Sequence, residues 1–268
     1  MKEKRNIVFF TGAGMSRESG LPTFRGEGGV WNEMDFEKVA TLKSWYGRQR
    51  KDVKERRQAM LDFFNPLRRA ILDHKPNRGH RIIASLDDYF EVTVITQNGD
   101  DYHTQAGSKH VVYLHGEALK NASSANPSLA YPIDRKNPDI HMGDKAPDGS
   151  QLRPYVVYFG EDIDNSLWRE AVKATKKADW FVVVGSSMLV YPAAELLAVL
   201  PTSCHLVVID PGHIKLPREC NHGFTHIPEK ASVGLFHFME MLSKYEDSVR
   251  FLNSYLRQGG WAPDISQE

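Results

Sequence analysis

The chain has few cysteines, no excess of either charge sign and no long hydrophobic run. Its 268 residues include two cysteines, Cys204 and Cys220, with no Cys-x-x-Cys spacing, which excludes a disulfide framework and favours a reducing compartment. Lys plus Arg and Asp plus Glu both number 34, so no overall basic field attracts nucleic acid or a membrane surface. No apolar run reaches about 18 residues, and no signal peptide precedes the first strand. We therefore expect a cytoplasmic protein without nucleic-acid or membrane partners.

Short apolar runs alternate with helical stretches along most of the chain. The runs are apolar on both faces, which is typical of strands in a parallel sheet covered by helices. The expected strands are residues 6–11, 92–96, 111–114, 180–184 and 206–209, and the expected helices are 78–89, 166–178, 193–200 and 231–244. This alternation predicts an α/β fold with a doubly wound, Rossmann-like parallel sheet.

Two segments interrupt the alternation. Residues 31–75 are charged and mostly helical in pattern, and residues 120–153 are rich in Pro, Asn, Asp, Ser and Gly. A long irregular stretch inside a compact domain is usually functional or forms a lobe of its own. We therefore predict one domain over 1–268, in which these two insertions form a second, smaller lobe. The Rossmann-like lobe is expected to comprise approximately 1–30, 76–119 and 154–268.

The first expected strand runs into a glycine turn, Gly12-Ala13-Gly14, which Ser16 follows. Glycines here let a backbone approach a pyrophosphate, and the start of the next helix would aim N–H groups at it. The fingerprint of dehydrogenases needs a third glycine where this chain has Arg17, which weakens a hydride-transfer interpretation. An ordinary strand-to-helix turn is the alternative explanation of the glycines.

Five further motifs follow the glycine turn along the chain. They are Glu18-Ser19-Gly20-Leu21-Pro22-Thr23-Phe24-Arg25, Thr96-Gln97-Asn98-Gly99-Asp100, Leu114-His115-Gly116, Arg153-Pro154-Tyr155-Val156-Val157-Tyr158-Phe159-Gly160-Glu161 and Gly185-Ser186-Ser187. Six ordered motifs over about residues 6–244 are too many to arise by chance. In these residues the chain resembles the sirtuin family, whose members are NAD-dependent protein-lysine deacylases.

The resemblance implies a reaction and the residues that perform it. In the family the acyl-lysine oxygen attacks C1′ of the ribose and nicotinamide leaves. A histidine then accepts a proton from a ribose hydroxyl while the acyl group moves, which gives O-acyl-ADP-ribose. His115 matches this base, because an imidazole suits proton transfer near neutral pH. Asn98 and Asp100 match the other catalytic residues, whereas His80, His103 and most other histidines are expected to be structural or exposed.

The resemblance also implies the ligand contacts. NAD, the expected cofactor, would contact Gly12, Ala13, Gly14, Ser16, Phe24, Arg25, Gln97, Asn98, Asp100, Gly185, Ser186, Ser187, Ile209, Asp210 and Ala231. The expected partners are acylated-lysine proteins or peptides, which would pair as an added strand between residues 156–161 and 189–191. The expected substrate contacts are Val156, Phe159, Gly160, Glu161, Leu189 and Val190. An ordinary buried strand and loop is the alternative interpretation of these two segments.

The chain departs from the family at the metal site and beside the nicotinamide. Most sirtuins hold zinc with two Cys-x-x-Cys pairs, and the matching positions here are Ser123, Asn126, Lys145 and Asp148. Tetrahedral zinc needs four Cys or His ligands, so we expect no metal site and no zinc. Gly99 replaces a branched apolar residue, and we expect it to loosen the backbone that holds the nicotinamide.

A third departure concerns the acyl group. Sirtuins that remove succinyl and malonyl groups carry a Tyr-x-x-Arg pair, whose positions fall here on Phe64 and Leu67. We expect these two side chains to wall the acyl pocket and Arg68 to be turned about 100° away from Leu67. Neutral acyl groups are therefore the expected substrates, with desuccinylation or demalonylation as the alternative if Arg68 lines the pocket.

Two activities from other classes stay open on the sequence alone. The same cleavage of NAD can deliver ADP-ribose to a side chain or to water, as in an ADP-ribosyltransferase or an NAD hydrolase. Gly99 is also compatible with a module that binds NAD or ADP-ribose and turns it over weakly. Detection of O-acyl-ADP-ribose distinguishes deacylation from both.

Overall fold

The computed structural model describes residues 4–24, 29–30, 35–47, 52–186, 191–218 and 220–245. The strands are β1 (Asn6–Thr11), β2 (Glu91–Thr96), β3 (Val111–Tyr113), β4 (Gly116–Ser123), β5 (Ala130–Pro132), β6 (Leu152–Val156), β7 (Trp180–Val184), β8 (His205–Ile209) and β9 (Phe224–Ile227). The α-helices are α1 (Ala13–Arg17), α2 (Phe36–Val39), α3 (Leu42–Tyr46), α4 (Val53–Asp73), α5 (Arg78–Ser85), α6 (Tyr102–Ala106), α7 (Asn165–Thr175) and α8 (Ala231–Leu242).

The main sheet has six parallel strands in the order β3-β2-β1-β7-β8-β9. Strand order therefore reverses between β1 and β7. Alternate residues of β1 enter two apolar clusters on opposite faces: Ile7 and Phe9 pack with α5 and α8, and Val8 and Phe10 pack with α7. Both faces are covered, which explains why these strands are continuous apolar runs. The doubly wound, Rossmann-like sheet expected from the sequence is confirmed.

A second, antiparallel sheet has the strand order β5-β4-β6 and lies in the region of the second insertion. Helix α4 packs on it through an apolar cluster that includes Met60, Leu61, Phe64 and Tyr158. Strands β4 and β6 extend across the lobe boundaries expected at 119/120 and 153/154, so the exact division into lobes stays a prediction. Although α4 spans 21 residues, no helix in the described ranges is long and apolar enough to cross a membrane.

Several elements differ from the expectation. Strand β9 was not expected, since it is an edge strand whose side chains are mostly exposed and which lacks an apolar pattern. The helix expected over 78–89 ends at Ser85 and continues as the 3₁₀ turn Leu86–Asp88. The segment expected as a helix over 193–200 is the 3₁₀ helix Ala193–Val199, which lies between Pro192 and Pro201. Strand β9 adds one parallel strand at the edge of the expected sheet, and the other two changes alter the end or the type of a helix.

Candidate active site

The expected site residues follow the carboxyl ends of β1, β2 and β7, which are neighbours in the sheet. Backbone hydrogen bonds join the turns after these strands. The N–H of Gln97 donates to the carbonyl of Thr11 (2.9 Å), and that of Gly12 donates to the carbonyl of Val184 (3.0 Å). Open α/β sheets bind ligands at this edge, where the strand order reverses.

The glycine turn packs tightly against the end of β7. The Gly14 N–H donates to the Gly185 carbonyl (2.9 Å), and a Cβ on Gly14 would lie 2.6 Å from the Gly185 Cα atom. Gly185 itself has φ +59°, where other residues are strained. Because the N–H groups of Gly12 and Gly14 are bound to protein carbonyls, these glycines act by allowing close approach.

A buried chain of hydrogen bonds orients the side chain of Asn98. Its Nδ2 donates to the Gly12 carbonyl (3.0 Å) and to Ser16 Oγ (3.2 Å), and Ser16 Oγ donates to Asp100 Oδ2 (2.8 Å). The Tyr102 N–H donates to the other carboxylate oxygen (3.2 Å). Burial raises the pKa of the Asp100 carboxyl to about 6. Both Nδ2 hydrogens of Asn98 are thereby engaged, which leaves Oδ1 as its atom for a ligand.

His115 lies in the turn between β3 and β4, next to Gln97. Its Nδ1 is 3.2 Å from the Gln97 carbonyl, and the Gln97 side chain accepts from Ser186 Oγ (2.9 Å). A carbonyl can only accept, so Nδ1 carries the hydrogen and Nε2 presents a lone pair. Burial lowers the pKa of the His115 imidazole to about 4, although the Gln97 hydrogen bond opposes the shift. At neutral pH the ring is therefore uncharged, with Nε2 ready to accept a proton.

The later cofactor positions lie at the ends of β8 and at the start of α8. Ile209 is fully buried in the core, so its side chain serves packing. Asp210 follows it and accepts from the Gly212 N–H (2.8 Å). Ala231 begins α8, where the Glu18 carboxylate accepts from the Ser232 N–H (2.8 Å) and hydroxyl (2.6 Å). This contact of Glu18 was not expected from the sequence.

The expected peptide-binding segment is partly engaged by the protein itself. The Phe159 N–H donates to the Ala40 carbonyl (2.8 Å), and its carbonyl accepts from the Leu42 N–H (2.9 Å). Phe159 and Gly160 are exposed and Val156 is partly buried. The backbone of Phe159 is therefore occupied, and an added strand has to use its neighbours.

An ion pair between Arg153 and Glu161 fixes the same segment. Arg153 is fully buried and donates to both carboxylate oxygens of Glu161 (2.8 and 2.7 Å). Its guanidinium lies 3.8 Å from the centroid of the Tyr158 ring, and the Tyr158 N–H also donates to Glu161 (2.9 Å). Glu161 thus shapes the loop through Arg153. The sequence contained Arg153 within a motif but gave it no role.

The proposed acyl-pocket residues lie on α4. Phe64 is buried against Tyr158, and Leu67 is partly buried between two apolar clusters. Arg68, expected to turn away, is instead fully buried and donates from Nη2 to Asn121 Oδ1 on β4 (2.7 Å). Arg68 thus faces the small sheet, and its orientation relative to an acyl pocket stays a prediction. Its Nε and Nη1 have no hydrogen-bond partner among the described residues.

Three of the four positions that match zinc ligands in the family, Ser123, Asn126 and Asp148, are joined by hydrogen bonds. Ser123 is buried, its Oγ donates to Asp148, and it accepts from the N–H groups of Ala125 (2.9 Å) and Asn126 (3.0 Å). Ser150 Oγ completes the cluster, 2.7 Å from Ser123 Oγ. We name Ser123, Asp148 and Ser150 the serine–aspartate clasp. Over the described residues, no group of three or more His, Cys, Asp or Glu side chains is arranged to hold a metal.

Gly99 is held more firmly than its residue type suggests. Its carbonyl accepts from the Ala118 N–H (2.7 Å), and a Cβ at this position would lie 3.2 Å from the Ala118 Cβ. The expected loosening is therefore offset by contact with β4. Four expected site residues, Arg25, Ser187, Leu189 and Val190, lie outside the described residues, and Phe24 is partly buried at the edge of a described range.

Comparison with known proteins identifies relatives of this arrangement. The model of the Sir2 family matches residues 12–192. The NAD-dependent protein deacylase of Bacteroides thetaiotaomicron is 46% identical over 210 residues, which cover 77% of this chain and 86% of the relative. A Sir2 homologue solved with ADP-ribose is 30% identical with a TM-score of 0.76, covering 90% of this chain and 94% of that one. A Sir2 homologue solved with NAD is 29% identical with a TM-score of 0.71, covering 94% and 91%.

Proposed function

The chain belongs to the Sir2 family and is an NAD-dependent protein deacylase, and we propose that His115, Asn98 and Asp100 are its catalytic residues. One observation carries this assignment: His115 donates from Nδ1 to Gln97, which leaves Nε2 as an uncharged base at the edge of the sheet. The proposed role of His115 is to accept a proton at Nε2. Asn98 and Asp100 lie in the adjacent turn as one hydrogen-bonded unit through Ser16.

The polar groups at this edge fit NAD. Asn98 Oδ1 is an acceptor held in place by two bonds from Nδ2, and Ser186 joins the ends of β2 and β7 through Gln97. Bound NAD supplies the ribosyl carbon that takes the acyl oxygen and the nicotinamide that leaves. Positive charge develops on the sugar, so fixed oxygen dipoles and the Asp100 carboxylate favour this step without reorganising.

Mass spectrometry of the products from NAD and a panel of acyl-lysine peptides tests the proposed activity. We expect nicotinamide, deacylated peptide and O-acyl-ADP-ribose in equal amounts. Free ADP-ribose without deacylated peptide would indicate NAD hydrolysis, and a peptide heavier by ADP-ribose would indicate transfer. Binding of NAD without any product would identify a binding module.

The rate of deacylation is expected to fall as the pH drops through about 6. Asp100, whose pKa burial raises to about 6, is ionised above this pH and accepts hydrogen bonds at both oxygens. Protonation puts a hydrogen on one oxygen, which competes with Ser16 or Tyr102 and disturbs Asn98. The pKa of His115, about 4, places its own titration lower. A profile of kcat/KM against pH should show this fall in the wild type and not in Asp100→Asn. The same fall in the variant would contradict the assignment of Asp100.

The small lobe is proposed to hold together without zinc, and its stability should respond to Ser123 rather than to a chelator. Ser123→Ala removes a buried hydroxyl that bonds to four groups, Asp148, Ser150 and the N–H groups of Ala125 and Asn126, which should cost roughly 1–3 kcal/mol and lower Tm by several degrees. Thermal unfolding with and without EDTA measures both effects. Ser128→Ala, on an exposed side chain of the same lobe, is the matched control and should change little. One zinc per chain by elemental analysis, or a fall of Tm in EDTA, would contradict the proposal.

Neutral acyl groups are expected to react faster than succinyl or malonyl groups. A carboxylate in a pocket walled by Phe64 and Leu67 loses hydration, and Arg68 offers it no compensating charge as long as its guanidinium stays bonded to Asn121 on β4. Comparison of kcat/KM for acetylated and succinylated versions of one peptide measures the preference. Burial lowers the pKa of Arg68 to about 10, so this side chain is still charged at neutral pH. A tenfold preference for succinyl that Arg68→Leu abolishes would contradict the expectation and make Arg68 the carboxylate ligand.

The proposed substrates are acylated proteins in the cytoplasm, without nucleic-acid or membrane partners. The balanced charge of the chain supports protein substrates recognised locally at the sheet edge. Both cysteines, Cys204 and Cys220, are free thiols, which supports a reducing compartment.

A further inference from the structure

Two buried histidines that the proposed mechanism does not use lie directly behind the catalytic turn. His80 on α5 and His103 on α6 are both fully buried, and their ring centroids are 4.7 Å apart. His80 Nδ1 accepts from the Asn77 N–H (3.3 Å), which ties this ring to the start of α5. His103 follows the Asn98–Asp100 turn by three residues and makes a different contact.

His103 begins a relay of side-chain hydrogen bonds that ends at Asn98. Its Nε2 is 3.0 Å from Thr11 Oγ1, Thr11 Oγ1 donates to Thr96 Oγ1 (2.9 Å), and the Asn98 N–H donates to the same Thr96 oxygen (3.1 Å). Because Thr11 donates to Thr96, its oxygen accepts from His103. This assigns the hydrogen of His103 to Nε2. The relay thus connects α6, β1 and β2 at the point where both strands end.

The groups at the two ends of the relay determine whether it can carry a proton. Burial lowers the pKa of His103 to about 3 and that of His80 well below its ordinary value, so both rings are neutral at working pH. The last group of the relay is the backbone N–H of Asn98, which does not release a proton near neutral pH. The relay therefore cannot serve as a proton path, and fixing geometry is the role left to it.

We propose that His103 is a positioning residue that, through Thr11 and Thr96, holds the backbone of Asn98 so that its side-chain amide faces the reacting groups. The Asn98 side chain bonds to Gly12 and Ser16, so a shift of its backbone breaks both contacts. Misplacement of a reacting group by about 1 Å can cost up to 100-fold in rate. This inference rests on the proposed function only in taking Asn98 as a residue of the site.

Three substitutions test the relay. His103→Leu removes the donor, Thr11→Val removes the middle link with little change of shape, and His103→Gln keeps a donor near the position of Nε2. We expect the Leu and Val variants each to lower kcat about tenfold, with little change in KM for the peptide. The Gln variant should stay within about threefold of wild type. The Leu/Val double variant should be no slower than either single variant, because both break the same chain. Thr104→Val, on an exposed neighbour of His103, is the matched control.

A second measurement does not depend on activity. The amide resonance of Asn98 in NMR spectra should shift in His103→Leu and Thr11→Val and stay near its wild-type position in His103→Gln and Thr104→Val. The proposal would be overturned if the rate losses of His103→Leu and Thr11→Val multiplied in the double variant. Equal losses in His103→Leu and His103→Gln would overturn it too. An unmoved Asn98 resonance would overturn it as well. A wild-type protein that makes no O-acyl-ADP-ribose but shows the Asn98 shifts would instead refute the deacylase assignment and leave the relay intact.

Discussion

Replacing His115 by alanine is expected to slow deacylation by at least about 100-fold, the usual contribution of a positioned base. The substitution removes Nε2, which is uncharged at neutral pH because burial lowers the pKa of this imidazole to about 4. Affinity for ADP-ribose should change little, because Asn98, Ser16 and Asp100 keep their mutual hydrogen bonds. Rates on an acetylated peptide, together with calorimetric binding of ADP-ribose, measure the two effects separately.

The matched control is His110→Ala. His110 lies five residues earlier, is half exposed and pairs with Glu170 at the surface, so its removal should leave the rate unchanged. A His115→Ala enzyme with more than about a tenth of wild-type activity would exclude His115 as the base. Equal rate losses in both variants would point to a general effect on the fold.

Replacing Arg153 by leucine is expected to lower the free energy of unfolding by about 3–5 kcal/mol, since it leaves the Glu161 carboxylate without its partner. The Arg153 side chain is 1% exposed and that of Glu161 14%, so water cannot replace the lost bonds. The stacking on Tyr158 is lost as well. Because Glu161 also holds the Tyr158 N–H, KM for the acylated peptide should rise. Urea unfolding and steady-state kinetics measure these outcomes.

Arg135→Leu is the control for this substitution. Arg135 pairs with Asp101, but its side chain is 58% exposed, so the loss should stay below about 1 kcal/mol. The double variant Arg153→Leu/Glu161→Gln should regain part of the lost stability, because no unpaired charge is left inside. Similar costs for Arg153→Leu and Arg135→Leu would show that burial adds nothing to the Arg153 pair.

The main sheet could be predicted because its strands are apolar on both faces, a pattern that packing between two helical layers requires. The small sheet and β9 could not. Strand β5 has only three residues, and the side chains of β9 are mostly exposed, so neither carries an apolar period. The pairing of β5 and β9 depends on strands elsewhere in the chain, which a local sequence pattern does not predict.

Sequence motifs propose the members of the candidate site but not its geometry. The motifs led to His115 and Asn98, but only contacts across strands assign the hydrogen of His115 and reveal His103 as a donor. Arg68 shows what spacing alone leaves out. Helical spacing places residues 64, 67, 68 and 71 on one side of α4, but the burial of a charged residue there depends on Asn121, 53 residues further along the chain, which accepts its hydrogen bond.

The serine–aspartate clasp changes what the small lobe is sensitive to. A cross-link of thiolates and metal fails when a chelator or an oxidant reaches it, whereas a hydroxyl and a carboxylate form their link as the chain folds and offer no sulfur to oxidise. Its weakness is acid instead. The Ser123 and Ser150 hydrogen bonds lower the pKa of Asp148, so the stability they contribute is present above its unfolded pKa and is lost as the pH falls through the folded one. A small lobe that the clasp holds without zinc, as proposed above, would therefore resist oxidants and chelators and be sensitive to acidification.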